Sequence, residues 1–142
     1  VYNMKRLLLK FETAKSLVPQ PILSQAEVPA RYGALYYGST SPSMQEAIAR
    51  LRDDDIALDT MRLRAFPFPD SVRDFIYGHD AVFVIEQNRD GQLRSLLINE
   101  FGIDPARLIA VLHYDGTPIT ARFIADAIVR EIRPQSKQEK VA

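Results

Sequence analysis

Three short stretches of the chain carry side chains able to do chemistry. The densest is Glu86-Gln87-Asn88-Arg89-Asp90-Gly91-Gln92, in which every residue is polar or glycine. Glu86 closes an apolar run, a setting in which a carboxylate can serve as a general base. No His, Lys or Cys stands near it in sequence to share the proton, so the simpler reading is a carboxylate that accepts backbone N–H groups and orders its loop. Asn88, Arg89 and Gln92 then supply donors that could hold a ligand or another subunit. The second stretch is Gly38-Ser39-Thr40, directly before a helical pattern, where backbone N–H groups and hydroxyls could cradle an anion. It is neither a P-loop nor the dinucleotide fingerprint, so an ordinary strand-to-helix turn is the stronger reading. The third is His113, which ends another apolar run and has the side chain that titrates near neutral pH. A lone histidine there is more often a hydrogen-bonded structural residue. Spacing alone assembles no nucleophile–base–orienter triad, no metal quartet and no Gly-rich phosphate loop from these stretches.

Composition narrows the classes further. The chain has 142 residues, 46% hydrophobic and 25% charged, the balance of one ordinary folded domain. Its formal net charge is zero, so no long-range field draws it to nucleic acid or to an anionic membrane. The absence of cysteine excludes disulfides, thiolate zinc sites and iron–sulfur ligation by this chain, and fits a reducing cytoplasm. Two histidines are too few for a His-based metal centre. No apolar run approaches the ~20 residues of a membrane span, and no signal-peptide pattern opens the chain. Residue 1 is Val, which points either to processing or to a piece excised from a longer protein.

The elements that must position these residues follow from periodicity. Residues 2 to 16 read as a basic helix with Met4, Leu7, Leu8 and Phe11 on one face, stopped by Val18-Pro19-Gln20-Pro21. Residues 1–20 are therefore a helix and linker, residues 21–133 the domain proper, and residues 134–142 a polar tail. Pro21 to Gln25 reads as a short edge strand. Four strands, each followed by a helix, then come in turn: Gly33 to Tyr37, Leu58 to Ala65, Ala81 to Ile85 and Leu108 to Leu112. Ala81-Val82-Phe83-Val84-Ile85 and Leu108-Ile109-Ala110-Val111-Leu112 show no alternation, as in strands buried on both faces of a parallel sheet. The second strand alternates Met61, Leu63 and Ala65 with Thr60, Arg62 and Arg64, which places it near an edge with one wet face. The helices carry Met44, Ala47, Ile48 and Leu51; Val72, Phe75 and Ile76; Leu93, Leu96, Leu97 and Phe101; and Ile124, Ile128 and Ile132. Ser43 with Glu46 is spaced as a capping box, with Ser41 and Pro42 the competing start, and Asp70 is the expected N-cap of its helix.

Alternating strands and helices give an α/β fold, a three-layer α/β/α domain on a mostly parallel sheet of four to five strands with right-handed crossovers. The polarity of the strands fits the order second, first, third, fourth, with the Pro21 strand beside the second. In that order the carboxyl ends of the first and third strands, at Gly38-Ser39-Thr40 and Glu86 to Asn88, flank a switch-point crevice.

Several of these residues together resemble one family. Tyr37-Gly38-Ser39-Thr40, then Arg62-Leu63-Arg64 leading into Pro67-Phe68-Pro69, then Val84-Ile85-Glu86-Gln87-Asn88-Arg89-Asp90-Gly91-Gln92-Leu93 look like the alpha subunit of 2-oxoacid:ferredoxin oxidoreductases of the pyruvate and 2-oxoglutarate type. The likeness is to the part similar to the transketolase C-terminal domain. The run from Glu86 to Leu93 is the specific element, and His113-Tyr114-Asp115-Gly116 with Pro118 also fits. The resemblance spans roughly Tyr2 to Ile132. It implies a transketolase C-terminal-like domain within a larger thiamine-diphosphate enzyme that decarboxylates a 2-oxoacid with coenzyme A and passes electrons through iron–sulfur clusters to ferredoxin. It implies as partners a beta subunit that binds the diphosphate, a gamma subunit or domain, and ferredoxin through the complex. It also implies that thiamine diphosphate, Mg²⁺, the clusters and coenzyme A are held elsewhere in that complex. The chain has no Gly-Asp-Gly…Asn metal–diphosphate motif, so no catalytic residue of the family carries over to it. A homodimer or larger assembly is expected, joined through apolar surface near Phe66-Pro67-Phe68 and along the opening helix. A stand-alone interaction module and a small anion- or nucleotide-binding protein are the other classes open.

Overall fold

The computed structural model describes residues 2–133, so the polar tail expected beyond Arg133 lies outside the described residues. Its elements in chain order are α1 (Tyr2–Leu17), β1 (Ile22–Ser24), β2 (Tyr32–Tyr37), α2 (Ser41–Asp53), β3 (Leu58–Leu63), α3 (Asp70–Tyr77), β4 (Ala81–Glu86), α4 (Gln92–Phe101), β5 (Leu108–Leu112) and α5 (Ala121–Ile132). The sheet has five strands in the order β1-β3-β2-β4-β5. β2, β3, β4 and β5 run parallel, and β1 joins β3 antiparallel, with Leu23 opposite Met61. This is the expected α/β architecture and strand order, with the short proline-led strand at the rim.

Side-chain alternation along the strands splits the core in two. One face of the sheet buries Ala34, Phe83 and Ile85 against Met44, Ala47 and Leu51 of α2 and Ile124 and Ile128 of α5. The other buries Leu35, Met61, Val82 and Val84 against Val72, Phe75 and Ile76 of α3 and Leu93 and Leu97 of α4. β4 is an inner strand between β2 and β5, with Val82 to Glu86 buried without a break. Each large apolar side chain fully withdrawn from water contributes on the order of 1.5–3 kcal/mol, so the fold depends most on this strand. At its start the helical layer comes very close to the sheet. A Cβ on Gly33 would lie 2.8 Å from the Phe75 ring and 3.1 Å from His79 Nδ1, so only glycine leaves room for that ring.

The structure departs from the sequence pattern in several places, each for a local reason. β5 is an edge strand rather than a doubly buried one, with Ala110 exposed and Ile109 and Leu112 half-buried; an apolar run does not tell an edge from a centre. β3 ends at Leu63, and Thr60 on its supposedly wet face is buried, because β1 pairs outside it and makes it an inner strand. The Ser43–Glu46 capping box does not form. Ser43 Oγ donates instead to the Ile119 carbonyl at 2.7 Å, and α2 starts at Ser41 with Pro42 in its first turn. Asp70 is the first helical residue of α3 rather than its cap, a place taken by Pro69. Leu96 is exposed on α4, and Phe68 is buried while Phe66 is not. α1 forms but buries no residue of its own.

Candidate functional site

Glu86 lies at the end of the inner strand β4, fully buried. Its Oε2 accepts the Leu93 N–H at 2.7 Å and the Asn88 amide at 2.7 Å, and its Oε1 accepts the Arg94 N–H at 2.9 Å. The carboxylate thus caps the N-terminus of α4 from the preceding strand, where the helix's unpaired N–H groups and dipole favour negative charge. The residue in the N-cap place, Gly91, has φ 58° and no side chain to do so; its left-handed conformation lets the loop fold back over the carboxylate. With no exposed face and both oxygens engaged, Glu86 is not placed to act as a general base.

The neighbouring donors are also turned inward. Asn88 donates to Glu86 and accepts from the N–H groups of Asp90 and Gln92 at 3.1 and 3.3 Å. Gln87 reaches across the switch point between β2 and β4. Its amide nitrogen donates to Ser39 Oγ at 3.1 Å and Thr40 Oγ1 at 3.2 Å, and its carbonyl accepts the Ile119 N–H at 3.3 Å. The structure therefore brings the Gly38-Ser39-Thr40 turn and the Glu86 loop together, but stapled to each other by side chains. Arg89 stands outside this network, largely exposed, with Asp90 as its partner at 2.7 Å. Gln92 is exposed at the start of α4.

His113 belongs to a separate loop. It is buried, its backbone N–H donates to the Glu86 carbonyl at 2.9 Å, and its ring lies 4.8 Å from that of Phe123. His113 Nε2 sits 3.0 Å from the Thr117 carbonyl and 3.2 Å from Asp115 Oδ1. The Asp115 carboxylate is held below its ordinary range, first by the Thr117 hydroxyl, then by the Thr117 backbone N–H, with a smaller contribution from the charge of His113. At the opposite end of the sheet, Asp59 accepts the Ala26 N–H at 2.8 Å and faces His79 Nε2 at 3.1 Å. His79 Nδ1 meets the Phe75 carbonyl at 2.7 Å; the carbonyl can only accept, so Nδ1 carries a hydrogen. This pair ties β3, α3 and the segment after β1, and nothing in the local sequence pattern of Asp59 or His79 marks it.

Open space lies beside the stapled crevice. A groove of about 520 Å³ runs from Tyr37 and Gly38 at the end of β2, past Arg62 to Phe66 and Phe68 after β3, to Gln92, Leu93 and Leu96 on α4. It is mostly apolar, at the carboxyl edge of the sheet where open α/β folds place their binding surfaces. Arg62 and Arg64 are its charged lining residues. Gln92 is the only member of the Glu86–Gln92 run among them. The signal in the sequence was the Arg62-Leu63-Arg64 run meeting Phe66-Pro67-Phe68, two basic residues flanking an apolar cluster after a strand. Among the described residues no group of three or more His, Asp or Glu side chains is placed to hold a metal ion, and no helix is long and apolar enough to cross a membrane.

Comparison with known proteins agrees with this architecture. No family model matches the chain. The chain is 27% identical, over 125 residues, to subunit alpha of 2-oxoacid:ferredoxin oxidoreductase 2 from Aeropyrum pernix, covering 85% of this chain and 19% of that subunit. Its structure matches the 2-oxoglutarate:ferredoxin oxidoreductase of Magnetococcus marinus, determined with 2-oxoglutarate, coenzyme A and succinyl-CoA bound, with a TM-score of 0.74 and 25% identity over 85% of this chain and 21% of that one. The fold is shared with a split-gene transketolase (TM-score 0.59, 18% identity, 77% of this chain and 40% of that one). It is shared too with the alpha chain of a probable 2-oxoacid ferredoxin oxidoreductase from Thermoplasma acidophilum (TM-score 0.53, 24% identity, 82% of this chain and 98% of that one). The chain thus spans about a fifth of the curated relative it matches, and the family resemblance read from its residues is to the proteins these names describe.

Proposed function

We propose that this chain is the transketolase C-terminal-like domain of the alpha subunit of a 2-oxoacid:ferredoxin oxidoreductase, and that it serves the enzyme by assembly rather than by chemistry of its own. Residues 21–133 are the domain and residues 1–20 lead into it. The observation that carries this reading is the alignment of 85% of the chain with a fifth of an alpha subunit. The geometry supports the assembly role: the one fully buried carboxylate among the described residues is spent on capping α4, and the stapled Gly38 turn has its hydroxyls engaged by Gln87. In this reading thiamine diphosphate with Mg²⁺, the iron–sulfur clusters and coenzyme A are held by other parts of a cytoplasmic complex that oxidises pyruvate, 2-oxoglutarate or a related 2-oxoacid. The beta subunit, the gamma subunit or domain, and ferredoxin are its partners. Arg89 and Gln92 face a neighbouring domain or subunit, while Glu86, Gln87 and Asn88 hold the loop that presents them.

The test has two parts. Titration calorimetry of the isolated chain with thiamine diphosphate and Mg²⁺ is expected to give no binding heat. In the complex, Arg89→Ala is expected to weaken subunit association or activity while leaving the melting temperature of this domain within a degree or so, since an exposed charge contributes little to folding. Micromolar binding of the cofactor by the isolated chain, or a fully active and stable Arg89→Ala complex, would overturn the corresponding part.

A further inference from the structure

We infer that the groove between Tyr37 and Leu96 is a docking slot for a segment of a neighbouring subunit that carries a carboxylate side chain next to apolar ones. This rests on the assembly reading above and names what the domain grips. The walls are apolar, from Leu63 and Phe66 to Leu93 and Leu96, and no acidic residue lines the slot. Its two cations are uncompensated from within: neither Arg62 nor Arg64 has an ion pair or hydrogen-bonded side-chain partner among the described residues, and the Nε of Arg62 is buried without an acceptor. A buried donor left unpaired is costly, and in folded proteins almost every one finds an acceptor. Charge complementarity therefore selects a carboxylate-bearing occupant.

The shape favours a chain segment over a compact ligand. The apolar surface does not stop at the slot but continues through Phe66, 42% exposed, to Phe11 of α1, whose ring centroid lies 6.1 Å away. Beyond Phe11 the face of α1 is open at Met4 and Leu8. Surface of this extent is unusual on a free-standing domain. The relative that the chain resembles is named as subunit alpha, one subunit of an enzyme, so a neighbouring subunit to cover this surface is at hand in such an assembly.

The experiment places the photo-cross-linker p-benzoylphenylalanine at Tyr37 and, separately, at Leu96, both partly exposed positions, in the tagged full-length protein expressed in its native cells. After irradiation of the purified assembly, cross-linked peptides are mapped by mass spectrometry. The expected product from both positions is one segment of another subunit with Asp or Glu within a few residues of an aliphatic or aromatic side chain. Arg64→Glu should lower the cross-link yield about tenfold, and Arg64→Lys should largely preserve it, as for an interfacial charge pair. Cross-links confined to this chain, to lipid or to a small molecule, in an assembly that still co-purifies, would overturn the slot while leaving the assembly reading intact. Absence of any co-purifying subunit would overturn the assembly reading, and the slot with it.

Discussion

Two regions at the same end of the sheet treat polarity in opposite ways. The loop from Glu86 to Gln92 is the most polar stretch near the centre of the chain, and its polar groups are largely consumed within the protein: Glu86 by three donors, Asn88 by three partners, Gln87 by three partners in two other segments. The segment from Arg62 to Phe68 looks like ordinary strand end and proline turn, yet it borders the open groove and carries the cations without partners. A cluster of donors in sequence therefore measures how much hydrogen bonding a loop needs, which is not the same as how much it has to offer. Availability depends on what the fold leaves unmatched.

The closed loop hangs on β4, an inner strand, and the comparison breaks first if that strand is not buried on both faces. Val84 is fully buried, opposite Leu35 on one side and Ala110 on the other. Val84→Asp places an unpaired charge there and is expected to cost more than about 4 kcal/mol, enough to unfold a domain of ordinary stability. Circular dichroism of the variant should show no cooperative melting. A soluble variant with the parent's melting temperature would refute the sheet assignment.

The boundary between closed and open passes between two phenylalanines only two residues apart. Phe68 is 5% exposed and Phe66 42%, their ring centroids 5.3 Å apart and edge to face. Phe68→Ala should cost about 3 kcal/mol through the cavity it leaves. Phe66→Ala should cost roughly 1 kcal/mol, the worth of an aromatic contact with little burial, while weakening association of the assembled complex. Denaturant melts of the isolated chain measure the first difference and sedimentation of the complex the second. Equal destabilisation by the two would mean that Phe66 is a core residue and that the groove does not open where it is described. On the closed side, Glu86→Gln keeps the shape but sets an NH₂ group among three donors, leaving at least one N–H of α4 unpaired. The expected cost is about 2 kcal/mol, with faster hydrogen exchange at Leu93 and Arg94 and little change elsewhere.

The sequence was most legible where one residue pattern has one physical solution. Ala81-Val82-Phe83-Val84-Ile85 reads as a strand buried on both faces and is one, an inner strand between β2 and β5, and the strand order followed from the polarity of its neighbours. Glu86 was readable as a carboxylate that accepts backbone N–H groups and orders its loop, because it lacked any proton-sharing neighbour in sequence; that the groups are those of the α4 N-terminus was not. Legibility failed where the answer depends on a distant partner. Leu108 to Leu112 looks as buried as β4, but among the described residues no further strand arrives to cover it. Ser43 could cap its own helix and instead bonds Ile119, 76 residues away. Gln87 gave no sign of being the staple between three loops, since an amide side chain fits many roles. The groove is a property of the space between elements, and only its basic and aromatic rim was written in one stretch.

The smallest expected effect concerns the third loop at this edge, and it asks whether closing a loop matters when the loop is exposed. Asp115 has its carboxyl held below the ordinary range, above all by the Thr117 hydroxyl and then by the Thr117 N–H, although the group itself is exposed. A folded-state pKa depressed below the unfolded one means that folding favours the ionised form. The resulting stability is complete at pH values above the unfolded carboxylate value of about 4, and is lost as pH falls through the folded one. Asp115→Asn removes that ionisation, so the melting temperatures of parent and variant should draw together as pH is lowered below about 4, with a small constant offset above it. High salt should leave most of this difference in place, because the leading cause is a hydrogen bond to Thr117 rather than a distant charge, and only the His113 contribution is open to screening. A difference that vanishes in salt at neutral pH would mean that the loop is held by its charge pair with His113. In that case Asp115 would resemble the exposed Arg89–Asp90 pair more than the neutral turn contacts within the closed loop.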